Sequence, residues 1–487
     1  MKVLKDILYK VAVNSVIGST DVEVKNIVFD SRKVESNSLF VAQKGVTVDG
    51  HKYIGKALSL GATTIVCEVF PEDLKEGITY VQVDDSDTAL AIIASNYYEN
   101  PSSEIKLVGV TGTNGKTTIA TLLYQLFKKA GYKVGLLSTV KVLVDEKEYK
   151  ATHTTPNSVA INQYLSEMVN EGVEFCFMEV SSHGVHQKRT EGLEFAGGIF
   201  TNLSHDHLDY HNTFAEYRDV KKSFFDSLPK SAFALVNIDD KNGNIMLQNT
   251  KATKQTYALK TIADYKAKVL EKRFSGTLLT VNNVEVWTKL IGQFNAYNLL
   301  AIIGTAELLG LEKLEVLRIV SELESVSGRF QYTVSKDGVT AIVDYAHTPD
   351  ALKNVLETIN DIRTGNENVL TVVGCGGDRD ATKRPKMAHI ASQLSTQAIF
   401  TSDNPRTEDP QDILNQMEEG VTPENYKKTL TIEDRKQAIK TACKLSESGD
   451  IILIAGKGHE NYQEINGERF HFDDFEVVTE CFNQLKN

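Results

Sequence analysis

The sequence predicts an α/β protein of three units, the middle one a P-loop domain with a mostly parallel sheet and the last Rossmann-like. Three observations predict it. Short apolar runs alternate with amphipathic helical stretches along the whole chain, the pattern of sheets covered by helices. A length of 487 residues exceeds what a single hydrophobic core serves. One apolar run leads straight into a glycine-rich turn and then a helix, at TGTNGKTT, residues 111–118.

The first unit, 1–102, holds strand-like runs at 26–29, 39–42, 63–67 and 80–83. The segment 99–104, ENPSSE, reads as a linker because Pro, Asn and Ser punctuate regular structure. The second unit, 103–330, opens with a strand at 105–110. After the glycine-rich turn comes a helix with Ile119, Leu122, Leu123, Leu126 and Phe127 on one face, ended near Gly131. Strands follow at 133–137, 175–180, 198–201 and 233–237, with a helix over 214–225. The third unit, 331–487, has strands at 340–344, 369–373, 398–402 and 451–455. These run into Gly- or Asp-rich turns, where open α/β sheets place their ligands.

Composition narrows the function. Hydrophobic residues make up 41%, an ordinary soluble share. No run approaches the roughly 20 apolar residues of a membrane helix. The start, MKVLKDILYK, lacks the apolar stretch of a secretory signal. The five cysteines are scattered without a CxxC pair, which speaks against a zinc site or disulfide framework and suits the cytoplasm. A net charge of −12 with no basic block disfavours a nucleic-acid partner.

The turn at 111–118 carries phosphate chemistry. Gly112 and Gly115 let backbone approach phosphate oxygens, and the helix start at Thr113–Thr118 supplies N–H donors. Lys116 can reach terminal phosphates, and the Thr117 hydroxyl can ligate Mg²⁺, so ATP and Mg²⁺ are expected. Val110 stands where the strict pattern has Gly, which leaves the shorter GTNGKT form. Glu179 ends the apolar run 175–180, either as a metal ligand or as a solvated strand-end residue. Lys221 and Lys222 read, by spacing, as a solvated charged helix face.

The short P-loop is joined in order by FDSRKV at 29–34, TTP at 154–156, MEVSSHG at 178–184 and TNLSHDHLDYH at 201–211. DYAHTPDAL at 344–352, GCGGDRD at 374–380, DNPR at 403–406 and GKGHE at 456–460 follow. Together they resemble the Mur ligase family over essentially the whole chain and, more distantly, folylpolyglutamate synthases. The resemblance implies a cytoplasmic, monomeric, ATP-dependent amide ligase that activates a carboxylate as an acyl phosphate and has no membrane association. It implies Lys116, Lys221, Glu179, His207 and Arg329 as catalytic residues. The implied metal ligands are Thr117, Glu179, His207 and Lys221, the lysine as a carbamate, while His205 and His211 are local hydrogen-bonding groups. The nucleotide would also meet Asn298, Arg329 and Asp344.

The implied acceptor is UDP-N-acetylmuramoyl-L-alanyl-D-glutamate. The first unit would bind its uridine diphosphate through Ser31, Val46, Thr47 and Val48. Thr154, Thr155, Ser181, Gln187 and Arg189 would grip the muramoyl peptide, with His153 standing where the family commonly has Asn. The third unit would take meso-diaminopimelate through Arg379, Asp403, Asn404, Pro405, Arg406, Gly456 and Glu460. Physical chemistry agrees with that choice. Meso-diaminopimelate carries a distal carboxylate that a guanidinium at Arg406 binds bidentately, whereas lysine presents an ammonium there. Three alternatives stand beside this reading: a lysine-adding relative, a P-loop regulatory protein that binds nucleotide without ligation, and, for Arg406 alone, a surface pair with Glu408 or Asp409.

Overall fold

The computed structural model describes residues 1–45, 48–204, 210–211 and 213–484. Three large sheets lie in succession along the chain. The first has five strands in the order Val13–Ile17, Thr79–Val83, Ala62–Cys67, Ser38–Val41 and Asn26–Val28, the first of them antiparallel to its neighbour. The second has eleven strands and the third six.

The position of the glycine-rich turn follows from the central sheet. Its strand, Lys106–Thr111, lies between Phe175–Glu179 and Gly197–Phe200, parallel to both. Glu179 is level with Val110, and Phe200 with Thr111. Three strand ends therefore bring Glu179, Gly112 and Thr201 to one rim. Successive strand residues point to opposite faces. Val108, Val110 and Phe177 accordingly pack with Ile119, Leu122 and Leu126 of the helix Lys116–Lys129. Leu107, Cys176 and Met178 pack on the other face with Leu165 of the helix Ser158–Asn170 and Phe225 of the helix Phe214–Asp226. Val110 is fully buried in the first of these cores, which is a physical use for a side chain where the strict P-loop has none.

The sheet extends beyond the strands read from sequence. An antiparallel hairpin, Lys141–Val144 with Lys147–Lys150, forms one edge. On the other side lie Thr253–Ala258, Tyr265–Arg273, Gly276–Val281 and Val284–Thr288. Charge and solvation hid Tyr265–Arg273, whose last six residues, KVLEKR, are all exposed or half-buried, whereas Gly276–Val281 is uncharged and mostly buried.

The third sheet runs Gln331–Val334, Thr340–Asp344, Ile451–Ala455, Val369–Val373, Gln397–Phe400 and Thr429–Thr431, all parallel except the first. The strand expected at 398–402 ends at Phe400. Thr401 and Ser402 lead instead into the turn that carries Asp403 to Arg406. Among the described residues no helix is long and apolar enough to cross a membrane.

Candidate active site

Backbone geometry makes the phosphate cradle. Gly112 has φ +147° and Gly115 φ +90°, values that side chains resist. A Cβ at Gly112 would lie 1.9 Å from Thr201 Oγ1, and one at Gly115 2.7 Å from Asn298 Oδ1. The loop is pinned from the neighbouring strand end: Thr113 N donates to Asn202 O at 2.8 Å, Asn114 N to Asn202 Oδ1 at 3.0 Å, and Thr201 Oγ1 to Asn114 O at 2.6 Å. Thr118 is buried in the first helical turn, whose N–H groups point toward the loop. Lys116 Nζ donates to Gly112 O at 2.9 Å and Thr113 O at 2.8 Å, so the lysine lies along the cradle.

Glu179 is not a solvated strand-end residue. It is fully buried and accepts from Thr117 Oγ1 at 3.0 Å, Thr139 N at 2.7 Å and Thr139 Oγ1 at 3.2 Å. Thr139 Oγ1 also lies 3.1 Å from Thr154 Oγ1 and can accept from it, which ties the threonine pair to the same carboxylate. Arg329 reaches in from 212 residues further along the chain, with Nη2 donating to Thr117 Oγ1 at 3.2 Å and its guanidinium carbon 4.4 Å from the Tyr345 ring centre. Thr117 and Glu179 are hard oxygen donors beside the cradle and fit a magnesium ion. His207 lies outside the described residues, as do Val46 and Thr47.

The reading of Lys221 and Lys222 as a solvated face is overturned. Lys221 is 1% exposed and Lys222 8%. Lys221 Nζ donates to Gly112 O at 3.0 Å and approaches Thr111 Oγ1 at 3.5 Å, while Lys222 pairs with Asp226 at 2.7 Å. The helix packs its lysine-bearing face onto the P-loop strand, because Tyr217, Phe224 and Phe225 are buried on the same side. Tyr217, absent from the predicted site, shares a hydrogen bond with Thr113 Oγ1 at 3.1 Å.

A cleft of about 750 Å³ opens from the cradle toward the third sheet, lined by Gly115, Asn298, Arg329, Asp344 and Tyr345. Asn298 Nδ2 donates to Asn295 Oδ1 at 3.0 Å. Asp344 caps its own turn, accepting from Phe330 N at 2.7 Å and Ala346 N at 2.8 Å. Burial raises its carboxyl above the usual range, while Arg329 pulls it back.

Around the threonine pair, Thr155 Oγ1 bonds to Glu179 O at 2.8 Å and to Ser181 Oγ at 3.1 Å. Ser181 caps the short helix Ser182–His186 through Gly184 N at 3.0 Å. Arg189 donates to Thr155 O at 2.6 Å and to Gln187 Oε1 at 2.6 Å, which keeps these four residues together. Desolvation lowers the Arg189 pKa, with Tyr210 and Asp87 of the first unit opposing. His153 is exposed and bonds to Thr152 Oγ1 at 3.2 Å. In the first unit Ser31 is buried in a turn capped by Asp30, and Val48 is 53% exposed.

In the third unit, Asp403 to Arg406 and Gly456 to Glu460 meet at the carboxyl end of the sheet. Arg406 has φ +54° and donates through Nη1 to Gly377 O at 2.6 Å. Its possible partner Glu408 is taken by the buried Arg384 at 2.8 Å, and Asp409 instead caps the helix Pro410–Glu418. The surface-pair alternative for Arg406 is thereby removed. A Cβ at Gly376 would lie 2.9 Å from Arg406 Nη1 and 3.9 Å from Arg379 Cγ, so both arginines border one glycine. Arg379 is exposed. Gly456 has φ +117° and a Cβ there would sit 3.0 Å from Asp403 Oδ2. Pro405 lies between Asn404 and Arg406, and its carbonyl would be 1.9 Å from a Cβ at Gly377.

The sequence reading missed Lys457, which is fully buried among Asp403, Asn404 and Glu460. It also missed Arg435, which pairs with Asp474 at 2.7 Å, both side chains sealed from solvent, and donates to Ala455 O at 3.1 Å just before Gly456. The signal for Lys457 was its place inside GKGHE. Nothing local marks Arg435.

Three stretches match descriptions of one family: the Mur ligase family catalytic domain over residues 23–98, the Mur ligase middle domain over 110–306, and the Mur ligase glutamate ligase domain over 328–458. A protein of Cytophaga hutchinsonii, named UDP-N-acetylmuramoyl-L-alanyl-D-glutamate–2,6-diaminopimelate ligase, is 55% identical over 99% of both chains. A Clostridium botulinum protein of the same name is 42% identical over 95% of this chain and 96% of its own. Among solved structures, a ligase of that name superposes with TM-score 0.69 at 32% identity over 95% of this chain and 96% of its own. MurF of Thermotoga maritima in complex with ADP shares the fold, with TM-score 0.62 at 19% identity over 95% of this chain and 97% of its own.

Proposed function

The chain belongs to the Mur ligase family, and we propose that it joins meso-diaminopimelate to the D-glutamate of UDP-N-acetylmuramoyl-L-alanyl-D-glutamate at the expense of ATP. The charge pattern of the third unit carries the choice of amino acid: two arginines border Gly376, and the half-buried carboxylate of Glu460 stands on the same rim. That pattern suits a zwitterion with a second carboxylate.

The chain's residues divide the work by segment: 1–102 for the uridine diphosphate, 103–330 for ATP and the peptide, 331–487 for the amino acid. Ser31 and Val46 to Val48 receive the diphosphate end. Thr154, Thr155, Ser181, Gln187 and Arg189 hold the peptide so that the D-glutamate carboxylate faces the cradle. ATP supplies the phosphoryl group, and Mg²⁺ offsets the charge that gathers on it. Thr117, Glu179, His207 and a carbamylated Lys221 would hold the metal; what supports the lysine is its burial against the P-loop strand, with Nζ 3.0 Å from Gly112 O. Lys116 and Arg329 stabilise charge on the transferring group. Asn298 and Asp344 orient the nucleoside. The acyl phosphate so formed is displaced by the amine of the amino acid held by Arg379, Asp403 to Arg406, Gly456 and Glu460, giving an amide and phosphate. Five free cysteines accord with a cytoplasmic enzyme.

Mass spectrometry of a reaction containing the UDP-dipeptide, meso-diaminopimelate, ATP and Mg²⁺ tests the reading. The UDP-tripeptide is expected. Turnover with lysine alone would assign a lysine-adding enzyme, and nucleotide binding without product would leave a regulatory protein.

A further inference from the structure

We propose that Lys457 is a positioning residue for the incoming amino acid, fixing the orientation and the charge of Glu460 and the flip of the Asn404 amide. The proposal rests on the third unit being the amino-acid site and deepens that reading.

Lys457 follows the strand Ile451–Ala455 and Gly456, and it is fully buried. An ammonium has three donors. Here three acceptors surround it: Asn404 Oδ1 at 3.0 Å, Asp403 Oδ1 at 3.3 Å and Glu460 Oε2 at 3.5 Å. A buried cation without carboxylates would be costly, and two buried carboxylates without a cation would be equally so. The cluster of Asp403, Glu460 and Lys457 therefore carries one net negative charge with both acids ionised. Nearby Arg435 adds no net charge, since Asp474 matches it. One negative charge is what a substrate ammonium requires.

The geometry also says which atom is offered. Asn404 Oδ1 accepts from Lys457 and from Glu464 N at 3.0 Å, so the amide cannot flip without losing both. Its Nδ2 is thereby directed at Glu460 Oε2, at 2.8 Å. Lys457 and Asn404 both take Oε2. Neither bond uses Glu460 Oε1, and the side chain keeps 18% exposure through which a substrate ammonium could reach it.

The groups facing Glu460 are Asp403 and Lys457, the rings of Tyr345 and Tyr462, and Arg435 with its partner Asp474. Burial and Asp403 push the Glu460 carboxyl up, while Lys457 and the Asn404 amide pull it down. Removing Lys457 leaves the upward pushes less opposed, and one of the two carboxylates then takes a proton. Glu460 would lose its charge at a higher pH than in the intact enzyme.

The experiment is a pH series of KM for all three substrates in the wild-type enzyme, Lys457→Met and Lys457→Arg. In Lys457→Met, KM for meso-diaminopimelate should rise about tenfold near neutral pH, with the acid limb of its profile displaced upward by about one pH unit. KM for ATP and for the UDP-dipeptide should stay within about twofold. Lys457→Arg should restore the wild-type limb. An unmoved limb, or three KM values rising together, would reduce Lys457 to a structural lysine and overturn the proposal. Should Lys457→Met fail to fold, Glu460→Gln decides: the acid limb for the amino acid must vanish, and its persistence overturns the proposal. A wild-type enzyme that does not ligate meso-diaminopimelate defeats the functional reading, whereas a working wild type with an unchanged Lys457→Met defeats only this inference.

Discussion

The phosphate cradle and the proposed amino-acid site both sit at the carboxyl ends of parallel sheets, yet they are built from different material. The cradle is one short stretch of backbone, shaped by Gly112 and Gly115 and braced from Thr201 and Asn202. The pocket is a convergence of side chains from several segments: Arg406 against Gly377, Arg384 on Glu408, and Lys457 among Asp403, Asn404 and Glu460. A backbone site fails when a Cβ is added. A side-chain site fails when a charge loses its partner.

The sharpest way to break that comparison is one substitution made in both places. Gly112→Ala puts a Cβ 1.9 Å from Thr201 Oγ1 at φ +147°. Turnover should fall about a thousandfold, the scale for disrupting preorganised donors at a transferring group, with ADP release as the assay. Gly376→Ala meets the movable end of Arg406 at 2.9 Å instead. There kcat/KM should change by about twofold. Equal losses at the two sites would end the distinction.

Next in size is Arg406→Ala. KM for meso-diaminopimelate should rise roughly a hundredfold, corresponding to ~3 kcal/mol for a charge-assisted bidentate pair. KM for ATP should not follow it. Asp474→Ala then tests the support beneath the pocket. It strands Arg435 in a sealed site, and chemical denaturation should show a loss of about 3–5 kcal/mol. The phosphate site has its own brace in Arg329, whose removal would alter turnover without that loss of stability.

The smallest effect is one of pH. Burial, followed by Arg329 and His347, lowers the His459 pKa from 6.5 to about 3. Between those values the unfolded chain binds a proton that folded His459 refuses. Stability should therefore fall as pH drops through that window. The histidine resonances should show His459 untitrated down to about pH 5. A His459 that titrates near 6.5 would mean that the third unit is looser against Arg329 than its packing indicates.

Much of the fold was legible because it is repetitive. Phe233–Asn237, Thr340–Asp344, Val369–Val373 and Ile451–Ala455 begin and end where their apolar runs do, each fully buried along its length apart from a half-buried Thr340. Tyr265–Arg273 was not legible, since its exposed, charged second half breaks the apolar pattern. Lys221 misled for a related reason. Spacing placed it beside Lys222 on a helix, but the Tyr217, Phe224 and Phe225 side of that helix faces the P-loop strand and takes Lys221 with it.

The sequence by itself determined the cradle, the order of the three sheets and the presence of Arg406 in the DNPR turn. Those depend on local sterics, alternation of apolar residues and the charge of a single side chain, all of which are written in neighbouring positions. Only the tertiary structure decided what surrounds them. Arg329 meets Thr117 across 212 residues, Lys457 meets Asp403 across 54, and Arg435 meets Asp474 across 39. A buried charge is stable only beside its partner, and which partner stands beside it is settled by how sheets and helices pack, not by spacing along the chain.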